Sequence, residues 1–316
     1  MPLVVNGFEL RDPLPDAHTF LNTYQSVRDE ALMLCTQPVK IVGPIGLLYV
    51  NQREWAATTP HDKKVTILGT DDATTCQILI LRDTASGAVC MAHIDGCGVE
   101  EAVFNICCRI QELSSSQMDV RYELHIVGGF CDAGGYSEQL IMSLLNAFQK
   151  QHIHVHLVTL CVCELNDILR GNIHWPIIYG IGINVKTGEI FPASFPDRGP
   201  DIALRSARLF AGTHQVLDIY DCAMNLLKVG PFTYDPMRGV DLWLSQGDDF
   251  IRQHLSTSPE VEPPHFAAQV RASLKHIQQH PYPDVTIFPD NKARLYRKDD
   301  SGQWIRIRSH YVLAMR

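Results

Sequence analysis

The stretch Cys76-Gln77-Ile78-Leu79-Ile80-Leu81-Arg82-Asp83-Thr84-Ala85-Ser86-Gly87-Ala88-Val89-Cys90-Met91-Ala92-His93 reads as one β-hairpin. Two apolar runs, Gln77–Leu81 and Ala88–Ala92, flank a cluster of turn formers at Asp83–Gly87, the pattern of paired strands joined by a tight connection. A turn centred near Thr84–Ala85 sets Cys76 opposite residue 93 or 94, where cross-strand Cβ atoms lie about 4.5–5.5 Å apart. A thiol and an imidazole at that spacing form a nucleophile and its base, since a nearby imidazole is a common means of lowering a cysteine pKa from roughly 8.5. Against this stands a purely structural pairing, because cysteine and histidine both fill strand faces.

Outward from the hairpin, Leu47–Val50 and Val65–Leu68 precede it as short strands rich in branched and aromatic residues. Val99, Ala102, Val103, Ile106, Ile110 and Leu113 follow it at helical spacing. Arg121–Val127 is a strand ending at Gly128-Gly129, after which Ser137 is placed to cap a helix with a stripe of Leu140, Ile141, Leu144, Leu145 and Phe148. Further strands fall at His154–Cys163, Pro176–Val185 and Glu189–Ala193, with a pair near Val216–Tyr220 and Asn225–Val229. Helices are expected over His18–Leu34, over Asp201–Phe210 and around Phe266, Val270, Leu274 and Ile277. Hairpins interrupted by single helices argue for an α+β fold: mainly antiparallel sheets packed face to face, helices covering an outer side, an α-β-β sandwich. The expected organisation is an N-terminal arm over residues 1–40 packed on the core, one catalytic domain over 41–297, and a C-terminal tail or hairpin over 298–316.

Composition narrows the function class. Of 316 residues, 46% are hydrophobic and 20% charged, ordinary for a globular protein, and no run of about 18 apolar residues occurs. The formal charge of −8 offers no attraction to nucleic acid or anionic membrane, so neither partner is expected. Lys292–Lys298, the compact basic stretch, reads as part of a solvated hairpin closed by Asp299-Asp300-Ser301-Gly302. Ten cysteines are scattered, and Cys107-Cys108 and Cys161-Val162-Cys163 are poor disulfide spacings. Free thiols in a reducing compartment follow, with a cytoplasmic and also nuclear location. No Gly-x-Gly-x-x-Gly follows a strand and no phosphate loop is present.

The segment Leu68-Gly69-Thr70-Asp71-Asp72-Ala73-Thr74-Thr75-Cys76 favours irregular backbone with N–H groups turned into a pocket. Donors at Thr75 and Cys76 would form an oxyanion hole. Asp71 and Asp72 are candidates to hold a cationic group or orient His93, or else form a solvated Asx turn. His152, His154 and His156 alternate on one strand with Cys161 and Cys163 beyond, but ligands on one straight strand do not close a tetrahedron, so no metal is expected. Gly128-Gly129 either ends its strand or admits substrate, and Pro263-Pro264-His265 either starts a helix or contacts substrate.

Several segments resemble the protein N-terminal asparagine amidohydrolase family of animals: Ile67–Cys76, His93-Ile94-Asp95-Gly96, His125–Phe130, Leu157–Asp167, Tyr179-Gly180-Ile181, Ser256-Thr257-Ser258-Pro259 and Pro263-Pro264-His265-Phe266. The likeness runs from about residue 40 to 297. It implies removal of ammonia from an N-terminal asparagine side chain, leaving an aspartate that is arginylated and directed to ubiquitin-dependent degradation, with Cys76 as nucleophile and His93 as its partner. More distantly, the Cys and His spacing is similar to bacterial chemoreceptor glutamine deamidases, and the fold to the catalytic domain of cytotoxic necrotizing factor toxins. The former imply a third catalytic residue, for which Thr70 is the counterpart. Recognition of the substrate α-ammonium calls for a carboxylate, with Asp72 the first candidate, then Asp71, Asp95 and Glu164. The resemblance implies neither metal nor organic cofactor, protein or peptide substrates beginning with Asn, and a monomer. A deamidase of N-terminal or internal glutamine, a catalytically silent N-degron binding module and a Cys–His protease remain as alternatives.

Overall fold

In the computed structural model, which describes residues 3–10, 13–114, 120–211 and 214–307, the hairpin forms the middle of an eight-stranded sheet. Its strands are Gln77–Asp83 and Val89–Ile94. The turn is built as its residues dictate. The Asp83 carboxylate accepts the Ala85 N–H at 2.9 Å and the Ser86 hydroxyl at 2.5 Å, and Gly87, at φ 74°, donates its N–H to Asp83 O. That local network centres the turn about one residue later than Thr84–Ala85, the position the sequence suggested. Arg82 pairs with Val89, and Ile78 with His93. Cys76 therefore stands two residues beyond the partner of His93 instead of directly opposite it. Because side chains alternate with a period of two, the shift leaves both on one face.

The antiparallel expectation holds through Glu54–Thr58, Val89–Ile94, Gln77–Asp83 and Tyr122–Gly128. Beyond them Val155–Val162 and Leu3–Val5 are added in parallel. A parallel neighbour needs a crossover, and Tyr136–Gln149 supplies it. This helix packs with Val99–Leu113 and both cover the large sheet, burying Val103, Ile106 and Ile110 from one and Ile141, Leu144 and Phe148 from the other. Each such side chain contributes about 1.5–3 kcal/mol by leaving water.

A five-stranded sheet, ordered Lys40–Ile41, Ile190–Ser194, Ile181–Asn184, Ile67–Thr70, Leu47–Tyr49, forms the second β-layer. Leu48, Leu68, Ile181 and Ile183 join the core of the large sheet, while Leu47, Tyr49, Phe191 and Phe195 make a separate cluster on the opposite face. The architecture is the expected α+β sandwich.

Several local expectations are corrected. The helix at Tyr136 is capped by Gly135, not Ser137, whose hydroxyl instead accepts the Phe130 N–H; Asp132 accepts the exposed N–H of Tyr136. The helix expected over His18–Leu34 is two, Ala17–Thr23 and Gln25–Cys35, broken at Tyr24. Pro176–Val185 is likewise split, into Ile173–Pro176 and Ile181–Asn184. The terminal hairpin exists as Arg294–Lys298 and Trp304–Ile307, but Lys298 is not solvated. Its ammonium donates to the carbonyls of Pro44 at 2.6 Å and Gly302 at 2.9 Å, and burial draws its pKa down to about 8.

A helical cap, Ile202–Ala211, Val240–Ser245, Asp248–Leu255 and Phe266–Gln279, carries its own small core around Ala207, Ile251, Val270 and Leu274. Fully buried Arg205 ties the cap to the large sheet through two bonds to Glu54, at 3.0 and 2.5 Å. Burying both ions is tolerable because they pair and their remaining atoms are hydrogen-bonded, Arg205 to the carbonyls of Arg198 and Tyr49 and Glu54 to the Asn51 N–H.

Candidate active site

A cavity of about 190 Å³ lies between the sheets and the cap, and Cys76, His93, Asp72, Thr75 and Glu262 line it. His93 sits on Val89–Ile94, and its Nδ1 lies 2.7 Å from Thr70 Oγ1, at the end of Ile67–Thr70 in the facing sheet. Its other nitrogen, Nε2, is buried with no partner among the described residues. An imidazole fixed at one nitrogen and unpaired at the other can take a proton from, and return it to, a group in the cavity.

The nucleophile candidate is held by an unusually close backbone approach. Gly128, at φ 126°, packs so tightly that a Cβ there would stand 2.5 Å from Cys76 O, and a Cβ on Gly129 would meet Gln77 Nε2 at the same distance. These glycines thus make room for the Cys76 strand. Buried Asn166 secures their turn, donating to Gly129 O at 2.8 Å. Burial pushes the Cys76 thiol well above its usual pKa, helped by Asp95 and Glu262. Burial likewise draws His93 down to about 4. The expectation that the imidazole would lower the thiol pKa is thus outweighed by desolvation. Both shifts favour the neutral thiol and the neutral imidazole.

The carboxylates separate into distinct environments. Asp71 accepts from Tyr49 OH and Phe195 N, both at 2.8 Å, and meets Arg198 at 2.9 Å. Burial and the Asp72 charge nonetheless raise its pKa. Asp72, at φ 60°, lies 2.5 Å from Arg198 and 2.8 Å from His265 Nε2. Burial opposes its ionisation, but the His265 hydrogen bond and the Arg198 charge outweigh this and hold its pKa low. Asp95 binds Arg53 Nε at 2.6 Å and Gln52 Nε2 at 2.7 Å. Glu164 is not brought to the cavity; it meets His18 at 2.7 Å, on the helix Ala17–Thr23. Pro263-Pro264-His265 leads into the helix Phe266–Gln279, and His265 also grips Asp72.

The sequence reading overlooked Glu262. It accepts the Ser256 hydroxyl and borders the cavity, and its cationic neighbour, Arg252, acts on it through charge without an ion-pair contact among the described residues. Burial lifts its pKa to about 7 against the pull of the Ser256 bond. The quoted motifs Ser256–Pro259 and Pro263–Phe266 flank it, and that flanking was the available signal. Thr257 reaches Thr75 through hydroxyls 2.8 Å apart.

The considered metal cluster is not assembled: Cys161 is buried against Cys35 at 3.4 Å, while His154 is exposed. Among the described residues no helix is long and apolar enough to cross a membrane.

Residues 37–306 match the family model described as protein N-terminal asparagine amidohydrolase. The chain is 46% identical over 309 residues to the protein N-terminal asparagine amidohydrolase of Sus scrofa, covering 98% of this chain and 99% of the relative. It is 45% identical to that of Homo sapiens and 46% to that of Mus musculus, each with the same coverage.

Proposed function

The chain belongs to the protein N-terminal asparagine amidohydrolase family, and from that premise we propose that it deamidates the side chain of an N-terminal asparagine through a Cys76–His93 thioester mechanism. The observation that carries this reading is the unpartnered His93 Nε2 in the cavity shared with Cys76, while Thr70 holds Nδ1. With the ring proton on Nδ1, donated to Thr70 Oγ1, Nε2 is the basic nitrogen.

His93 Nε2 takes the Cys76 proton as Sγ attacks the carboxamide carbon, and backbone N–H groups at Thr75 and Cys76 receive the oxyanion. Collapse breaks the C–N bond, and the proton on Nε2 passes to the leaving nitrogen, releasing ammonia and a thioester. Water then gives a proton to Nε2 and its oxygen to the acyl carbon. The C–S bond breaks, the proton on Nε2 returns to sulfur, and the new carboxyl gives its own proton to solvent as the side chain leaves as aspartate. The neutral resting pair suits this cycle, since no proton is stranded between steps.

Glu262 is the partner we assign to the substrate α-ammonium. Asp72 is already met by Arg198 and His265, and Asp71 by Arg198, Tyr49 and Phe195. A half-buried carboxylate that no cation contacts gains most from one that the substrate brings. The family relationship further supports arginylation of the product and ubiquitin-dependent degradation, and with them a cytoplasmic and nuclear location.

Ammonia release from peptides beginning with Asn, Gln or acetyl-Asn tests the assignment. Only the free Asn peptide is expected to react. Deamidation of acetyl-Asn or of internal Gln overturns terminal-Asn selectivity, and peptide binding without ammonia release turns the reading into an N-degron binding module.

A further inference from the structure

We propose that Cys131, Asp167 and His174 form a binding site for one zinc-class divalent ion, separate from the Cys76 centre. The three lie where the turn after Tyr122–Gly128 meets the two-stranded hairpin of Asp167–Arg170 and Ile173–Pro176. Leu169 pairs with His174, so Asp167 is the diagonal neighbour of His174 on the same hairpin face. His174 Nδ1 lies 2.6 Å from Asp167 Oδ2, and the Cys131 N–H donates to Asp167 Oδ1 at 3.1 Å.

One ligand-type atom from each residue lies within 4.8 Å of the other two. A tetrahedral ion with bonds of about 2.0–2.3 Å needs neighbouring ligand atoms roughly 3.3–3.8 Å apart, within reach of small rotations of the accessible Cys131 and His174 side chains. The group opens on a cavity of about 350 Å³ bordered by Asp132, Asn172 and Glu260, which leaves room for a fourth ligand. Asp167, Glu164, Asp132 and Glu138 all place negative potential at the sulfur, so a cation is attracted. One thiolate, one imidazole and one carboxylate oxygen select zinc over magnesium or calcium, which prefer all-oxygen sets. On binding, the ion replaces the thiol proton, which passes to solvent. Thr257 borders both this cavity and the one holding Cys76, so an ion here would sit one wall away from the amide-cleaving centre.

The test is titration of the chelator-stripped full chain with Co²⁺ and then Zn²⁺. The expected result is one equivalent of Co²⁺ showing a thiolate charge-transfer band and tetrahedral d–d bands, both displaced by Zn²⁺. Cys131→Ser should abolish the charge-transfer band and weaken zinc at least about tenfold, a loss that even outer-shell partners cause. Cys76→Ala should retain both bands. His174→Ala, with its far-UV spectrum compared to the parent, should weaken zinc to a similar degree while any Co²⁺ still bound keeps the thiolate band. Absence of stoichiometric binding, or a band that survives Cys131→Ser, overturns the proposal. The readout does not involve amide cleavage, so its failure leaves the Cys76 reading untouched.

Discussion

The wall of the cavity that bears Cys76 and His93, with Thr70 holding His93 from behind, consists of strand ends from the two facing sheets, drawn from a short stretch of chain. The opposite wall, with Ser256, Thr257 and Glu262, comes from loops and helices far later in the sequence, and its cap is fastened to the sheets by the buried Arg205–Glu54 pair. Sheet ladders hold atoms rigidly, which suits groups that exchange protons. Loops leading into helices offer polar side chains to a ligand without interrupting a ladder. Under the proposed function the contrast becomes a division of labour, in which the sheet wall governs turnover and the cap wall governs binding of the substrate terminus.

The largest expected effect falls on the sheet wall. Cys76→Ala and His93→Ala should each lower kcat by roughly 10⁴–10⁶-fold, and the double variant should lose little more, since the pair acts as a unit. Single-turnover ammonia release measures this. A double variant whose losses multiply would break the idea of a shared proton cycle.

On the cap side, Arg205→Ala strands the Glu54 charge in the interior and should cost about 3–5 kcal/mol. Denaturant unfolding reads it, and an unchanged midpoint would mean that the cap is fastened by other contacts.

Glu262→Gln sharpens the division directly. Loss of a charged hydrogen bond of about 1.5–3 kcal/mol should raise KM by roughly 10–150-fold and leave kcat nearly unchanged. The pH profile carries the sign. Glu262 is anionic above its pKa of about 7, and the substrate α-ammonium is lost above about 8. kcat/KM should therefore rise through about pH 7 and fall beyond 8. In Glu262→Gln the acid limb should move toward the His93 value of about 4. A limb that stays near 7 would remove Glu262 from the binding step.

Thr70→Val should be the mildest of the four, lowering kcat by about tenfold as His93 loses the partner that fixes its tautomer, with KM little changed. Thr70→Ser should restore activity. A KM effect would move Thr70 to the binding side of the comparison.

Much of the sheet wall was legible because its signals are local. Alternating apolar runs around Asp83–Gly87 marked the hairpin, and helical spacing marked the stripes on Val99–Leu113 and Tyr136–Gln149. The register was misjudged because Gly87 and the Asp83 carboxylate shift the turn centre by about one residue through bonds that no propensity reveals. Asp72 was singled out for its charge, but its partners Arg198 and His265 lie far along the chain. Glu262 escaped notice for the converse reason: a glutamate in a loop looks solvated until a cap buries it.

The sequence alone determined the hairpin, the apolar helix faces and the candidacy of Cys76 and His93, because these depend on residues a few positions apart along one element. Tertiary structure decided which nitrogen of His93 is unpaired, which carboxylates are met by Arg198 and which one borders the cavity without an ion pair among the described residues. Those outcomes depend on desolvation and on charges contributed by segments that meet only when the sheets and cap close, and neither is written in local spacing.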